Sequence, residues 1–164
     1  MSLQILINGF ALGSVYALIA TGFSLIFNIL KFSNFSHGAL MTLSAFIGYF
    51  VSVRTGWSLV PIVLISMLAG GIIALIGEFV AFRKITLRKT SPIYFFVSSI
   101  TLGTLYEGIV TIWVGPNFYN YPRFFKSLVI RFGGFVISTS DLIMFISSAV
   151  ALILLVLFIQ KTRL

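Results

Sequence analysis

The chain has no cysteine, only three acidic residues and a single histidine among its 164 residues. Without thiols there is neither a disulfide framework nor a thiolate metal site, although this does not identify a compartment. One histidine and three scattered carboxylates cannot assemble a triad, a dyad or a metal cluster from neighbours, so catalytic residues and metal ligands are not expected, and neither is an enzyme. No glycine-rich phosphate loop follows a strand, so no cofactor is expected in this chain and ATP is not expected to be held by it. Charged residues make up 9% of the sequence, against about a quarter in a soluble domain. That is too little charge for a water-facing surface. Internal repeats, low-complexity tracts, linkers and a hydrophilic domain are also missing.

What remains is apolar. Hydrophobic residues account for 59% of the chain, and the mean hydropathy is +1.14. Apolar runs extend over Leu3 to Leu30, Gly38 to Val53, Trp57 to Phe82, Ile93 to Val114 and Leu142 to Ile159, each near the ~17 to 25 residues that a helix needs to cross a bilayer. The expected fold class is all-α, a polytopic transmembrane helix bundle of about five spans, with residues 1–164 as a single transmembrane domain. The first run is longer than a crossing requires, and Asn8, Gly9 and Gly13 suggest that its opening turns are interfacial or distorted. It lacks a preceding basic region, which argues against a cleaved signal peptide. Five spans do not divide into equal halves, which argues against a complete inverted-repeat carrier.

The formal charge is +8, but the basic residues do not cluster on one soluble face, so nucleic acid is not an expected partner and membrane lipid is. Arg83, Lys84, Arg88 and Lys89 fall in one short segment read as a loop, Lys31 follows the first run, and Lys161 and Arg163 follow the last. Placing these seven on the cytoplasmic side, against Arg54, Arg123, Lys126 and Arg131 outside, obeys the positive-inside rule. The N-terminus is then outside and the C-terminus cytoplasmic, in an inner or plasma membrane.

Local signals add detail. The long connection from Gly115 to Ser140 is rich in Phe118, Tyr119, Tyr121, Phe124 and Phe125, which suits the headgroup level. Its second half places β-formers on both sides of Gly133-Gly134, a hairpin signal. Ser138-x-x-Asp141 resembles a capping box for the last span, and Ser91-Pro92 supplies an N-cap followed by proline at the first helical position. Small residues recur every four positions at Gly9, Gly13, Ala17 and Thr21, as they do at Ser66, Gly70 and Ala74, and again around Thr104, Gly108, Thr111 and Gly115. Such faces are expected to be helix-packing surfaces, with a pathway lining as the alternative.

The polar residues at or near membrane depth are the candidate functional positions. Asn34, Ser36, His37 and Gly38 interrupt the first two spans; they form either a tight turn with Asn34 or Ser36 as cap or part of a gate. Glu78, five residues before Arg83, reads as interfacial. Glu107 lies mid-span, where a bare carboxylate must be paired, hydrated or protonated, so it belongs to a helix contact or to a pathway.

Asn8-Gly9, Leu12-Gly13-Ser14, Tyr16-Ala17-Leu18-Ile19-Ala20, Gly22, Leu25-Ile26-Phe27 and Asn34-Phe35-Ser36-His37-Gly38, in this order and spacing, resemble the N-terminal portion of the transmembrane permease subunits of branched-chain amino acid ABC importers. The resemblance continues through Glu78, Ala81-Phe82-Arg83, Leu87-Arg88 and Gly115-Pro116 to Thr162-Arg163-Leu164. It implies a permease working with a second permease subunit, two ATPase subunits that bind ATP, and a periplasmic or extracellular substrate-binding protein. The implied cargo is leucine, isoleucine or valine, with urea, short amides or small carboxylates as the other cargoes of related permeases. Glu107 stands where the resemblance implies a neutral amide, and Gly103 lies near, not at, the implied glycine. The resemblance also implies a cytoplasmic coupling segment after a Thr-Arg-x-Gly stretch, so the expectation is a fragment or truncated product that does not couple ATP hydrolysis to import by itself. The rival expectation is a small self-contained channel or assembly protein; the sequence shows no pore-like ring of charges in its favour.

Overall fold

The computed structural model describes residues 2–88, 91–122, 124, 129–132 and 135–161. Lys89, Arg123, Lys126, the Gly133-Gly134 pair and the Thr162-Arg163-Leu164 stretch lie outside the described residues. The elements in chain order are α1 (Ser2–Leu30), α2 (His37–Thr55), α3 (Leu59–Gly77), a π-helical turn (Glu78–Phe82), α4 (Arg83–Leu87), α5 (Pro92–Val114), β1 (Val129–Phe132), β2 (Phe135–Ser138) and α6 (Thr139–Lys161). Five helices are long and apolar enough to cross a membrane, the third running from Leu59 to Leu87 through the π-helical turn and α4. These are the expected five apolar spans of an all-α membrane chain.

One expectation is corrected. The segment carrying Arg83 and Lys84 is helical through Leu87 rather than a loop. α1 is a continuous helix from Ser2 to Leu30, without distortion at Asn8: the Gln4 side-chain amide donates to Asn8 Oδ1 at 3.0 Å. That bond joins the two polar side chains one turn apart, as helical neighbours allow.

The chain forms two compact units, residues 1–29 with 125–164, and residues 30–124. In the first, β1 and β2 pair antiparallel, Val129 opposite Ser138 and Phe132 opposite Phe135, which realises the hairpin signal. β2 leads directly into α6 through the capping box. The Ser140 amide donates to Ser138 Oγ at 3.0 Å and the Ser138 amide donates to the Asp141 carboxylate at 3.4 Å, so two amide donors at this end of the helix are satisfied reciprocally. Ala11 of α1 is buried and lines an open groove with Asp141, Leu142 and Phe145.

In the second unit α2 packs against both α3 and α5. Lipid supplies no hydrophobic drive between helices, so close approach is set by small residues. A Cβ at Gly48 would overlap Ser66 Oγ, and one at Gly70 would lie 2.6 Å from Ser44 Oγ. The two serines direct their hydroxyls into their own helices, Ser44 to the Leu40 carbonyl at 2.7 Å and Ser66 to the Ile62 carbonyl at 2.9 Å. Gly56, at φ 63°, closes α2 by donating its amide to the Ser52 carbonyl. A left-handed backbone of this kind suits glycine. The cluster of Phe32, Ala39, Leu43, Phe82, Leu102 and Tyr106 forms the core. The connection after α5 folds back onto this unit: Tyr121 donates its hydroxyl to the Ala45 carbonyl at 2.5 Å, and Tyr119 and Tyr121 both pack edge-on to Tyr49.

These contacts separate the two glycine faces. Gly48→Val is expected to lower stability by about 1–3 kcal/mol through overpacking. Gly13→Ala, where an added Cβ meets nothing within 4 Å, is expected to be neutral or slightly stabilising. Thermal unfolding of both variants in detergent checks the contrast.

Candidate functional site

The chain between α1 and α2 is the irregular backbone that drew attention in the sequence. Lys31 adopts φ 59° and ends α1, a left-handed conformation that non-glycine residues seldom take. Asn34 then organises the turn. Its Oδ1 accepts from the Ser36 amide at 3.1 Å and from Ser36 Oγ at 2.6 Å, and its carbonyl accepts from the His37 amide at 3.3 Å. Ser36 occupies the N-cap position of α2 but makes no side-chain cap bond. Its hydroxyl instead turns back to Asn34, because its backbone is already helical at φ −75°, ψ −8°. Ser36 is 2% exposed; His37 is half-buried and Gly38 exposed.

α5 seals this turn. A Cβ at Gly103 would sit 3.3 Å from Ser36 Cα and 3.5 Å from the Phe35 carbonyl oxygen, so a side chain there would require the turn to give by a few tenths of an ångström. Ser99, fully buried, donates to the Phe96 carbonyl at 2.8 Å and lies 3.5 Å from the Ser33 carbonyl. Phe96 meets Phe35 edge-on at 5.2 Å. Residues Lys31, Phe32, Ser33, Phe35, Pro92, Ile93 and Phe96 enclose an open groove of about 390 Å³. Pro92 occupies the first position of α5, as the sequence indicates, while Ser91 makes no side-chain cap bond.

The same helix is tied to α3. Tyr106 donates its hydroxyl to the Ile73 carbonyl at 3.2 Å. Gly77 makes room, since a Cβ there would lie 2.5 Å from the Tyr106 oxygen and 3.0 Å from Leu102 Cδ2. Ser98 Oγ donates to the Ala81 carbonyl at 3.1 Å, inside the π-helical turn, whose Phe82 packs against Phe32 at 5.3 Å. Glu78 opens that turn and is exposed, and Arg83 lies over the Phe79 ring at 5.0 Å. Ser99, Gly103 and Tyr106 were not singled out by sequence reasoning as contacts. The four-residue spacing of Ser99 and Gly103 is the same small-residue signal read elsewhere, and would have found that face.

The remaining candidates lie apart from these contacts. Glu107 is exposed, as are Thr101, Thr104 and Thr111 on the same helix. At Gly108 an added Cβ meets nothing within 4 Å, and the same holds at Gly9, Gly13 and Gly38. Gly9 and Gly13 border an open groove with Phe145 of α6. Thr21 Oγ1 donates to the Ala17 carbonyl at 2.7 Å.

A sequence profile of the family described as "Branched-chain amino acid transport system / permease component" matches residues 5–164. The chain belongs to this family. Among curated relatives it is 27% identical to the "High-affinity branched-chain amino acid transport system permease protein LivH" of Escherichia coli K12, over 98% of this chain and 56% of that protein. It is also 27% identical to the "High-affinity branched-chain amino acid transport system permease protein BraD" of Pseudomonas aeruginosa PAO1, over 99% of this chain and 56% of that protein. The chain therefore spans about half the length of these relatives. No solved structure matches it. Both relatives are described as permease proteins of a transport system.

The turn makes a direct prediction. Asn34→Ala strands the buried Ser36 hydroxyl and amide and is expected to cost about 1–3 kcal/mol, whereas Asn34→Asp keeps the acceptor and most of the stability. Gly103→Ala presses a methyl group onto backbone that is held by those bonds, with a similar loss of about 1–3 kcal/mol. Thermal unfolding in detergent measures all three.

Proposed function

We propose that this chain forms part of the transmembrane path of an ATP-driven importer for leucine, isoleucine, valine or a related small amino acid. The observation that carries the reading is the family match along residues 5–164, on a chain with five helices able to cross a membrane. The proposed partners are a second permease subunit, two ATPase subunits that bind ATP, and a periplasmic or extracellular substrate-binding protein. In this reading the Asn34–Gly38 turn is a rigid seat for α5 at the mouth of the path rather than a moving flap. Its polar groups are bonded to one another, which leaves little freedom for a hinge. Disruption of the coding frame in its host is expected to abolish high-affinity uptake of radiolabelled leucine, with competition by isoleucine, valine, urea and short amides defining the cargo. Unchanged uptake of all of these would overturn the reading.

The proposed orientation has the N-terminus outside and the C-terminus in the cytoplasm of an inner or plasma membrane. Arg83, Lys84 and Arg88 lie together at the end of the third span, the side that the positive-inside rule assigns to the cytoplasm. In a chain without native cysteine, Lys84→Cys is expected to resist an impermeant thiol reagent added to intact cells, and Tyr119→Cys to react. The opposite pattern would invert the topology.

A further inference from the structure

α5 has two dissimilar sides. Ser99, Leu102, Gly103 and Tyr106 are buried within the 30–124 unit. Thr101, Thr104, Glu107 and Thr111 are all exposed, and their spacing of three and four residues puts them on one other side of the helix. The threonines tolerate either lipid or water, because each hydroxyl is satisfied within the helix. They donate to the Val97, Ile100 and Glu107 carbonyls at 3.0, 3.1 and 2.8 Å.

Glu107 is different. It lies seven residues before the end of α5 at Val114, roughly 10 Å along the axis. The other acidic, basic and histidine side chains in the spans lie near an end: His37, Arg54, Asp141 and Lys161 within the first or last turn, and Glu78, Arg83 and Lys84 at or beyond the ~20 residues of the 59–87 helix that a crossing uses. Among the described residues no hydrogen bond or ion pair reaches its carboxylate. An ionised carboxylate facing hydrocarbon is costly, and such groups face water-filled cavities or find partners.

We propose that the Thr101–Thr104–Glu107–Thr111 side of α5 is a wetted wall in the assembled protein, and that the Glu107 carboxylate makes this wall selective for cationic groups, receiving the protonated amino group of the cargo. Only the naming of the cargo rests on the permease reading; the wetted, cation-selective wall does not. A negative charge one turn from a reacting thiol, in an environment less polar than bulk water, changes the local concentration of small ions by about tenfold or more.

The test uses single cysteines in native membranes, with two thiosulfonate reagents of similar size, one carrying a trimethylammonium group and one a sulfonate. Rates are taken relative to a free small thiol. Thr104→Cys and Thr111→Cys are expected to react, while Ile109→Cys on another side of the helix does not. The cationic reagent is expected to be favoured at least about tenfold, a preference kept in Glu107→Asp and reduced to about unity in Glu107→Gln. Leucine is expected to slow the cationic reaction, and its 2-oxo acid, which lacks the amino group, is not. Silence at 104 and 111 would place that side against lipid or a partner helix and overturn the proposal. A preference indifferent to Glu107→Gln would overturn the role of the carboxylate. Equal protection by leucine and its 2-oxo acid, or none by either, would overturn the amino-group assignment. Unchanged uptake after disruption of the frame would overturn the permease reading and leave the labelling pattern standing, so the two readings fail separately.

Discussion

Hydrocarbon neither hydrogen-bonds a polar group nor drives one apolar helix onto another, and the structure is organised by that double constraint. Many hydroxyls are answered inside the chain, with buried Ser52 Oγ an exception among the described residues: Thr42, Ser44, Thr55, Ser66 and Thr86 each donate to the carbonyl four residues earlier. Helices then meet where side chains are smallest, as at Gly48 against Ser66 and Gly70 against Ser44. Polar contacts between elements also end on backbone carbonyls. Tyr106 reaches Ile73, Ser98 reaches Ala81 and Tyr121 reaches Ala45. A serine or tyrosine here serves as a locating pin whose position depends on a neighbouring glycine or carbonyl.

The Asn34–Gly38 turn obeys the same constraint in irregular backbone. One side-chain oxygen satisfies both the amide and the hydroxyl of Ser36, and Ser36 itself is buried beneath Gly103. Of the two readings of the sequence, the tight turn is present, but its side chains bond within the turn rather than capping α2. The turn is held by local bonds, and what it positions is the start of α2 and the face of α5.

The parts legible in the sequence are those written in local chemistry. Span existence follows from run length, the hairpin from Gly133-Gly134 between β-formers, the α6 start from Ser138 and Asp141, and the α5 start from Pro92. Packing faces were less legible, because helices that are apolar all round carry no phase in their hydrophobic pattern. Gly13 and Gly48 have the same kind of sequence neighbourhood, yet a Cβ meets nothing at the first and overlaps Ser66 at the second. The π-helical turn at Glu78–Phe82 was also unreadable; its contacts, Phe82 with Phe32 and Ala81 with Ser98, are with residues distant in sequence. The exposure of Glu107 depends on which side of α5 is packed, and the residue itself carries no signal of that.

The azimuth of Glu107 is set by the residue before it. Tyr106 is 5% exposed, its hydroxyl bonded to Ile73 and its ring beside Gly77. One residue advances about 100° around an α-helix, so anchoring Tyr106 inward carries Glu107 out of that contact. Ser99 and Gly103 fix the same helix against the Asn34–Gly38 turn, and rotating α5 to bury the carboxylate would break these anchors together. A carboxylate that could be buried by rolling its helix is thereby kept at the surface of the unit, and this packing is the premise on which the proposed cation-selective wall rests.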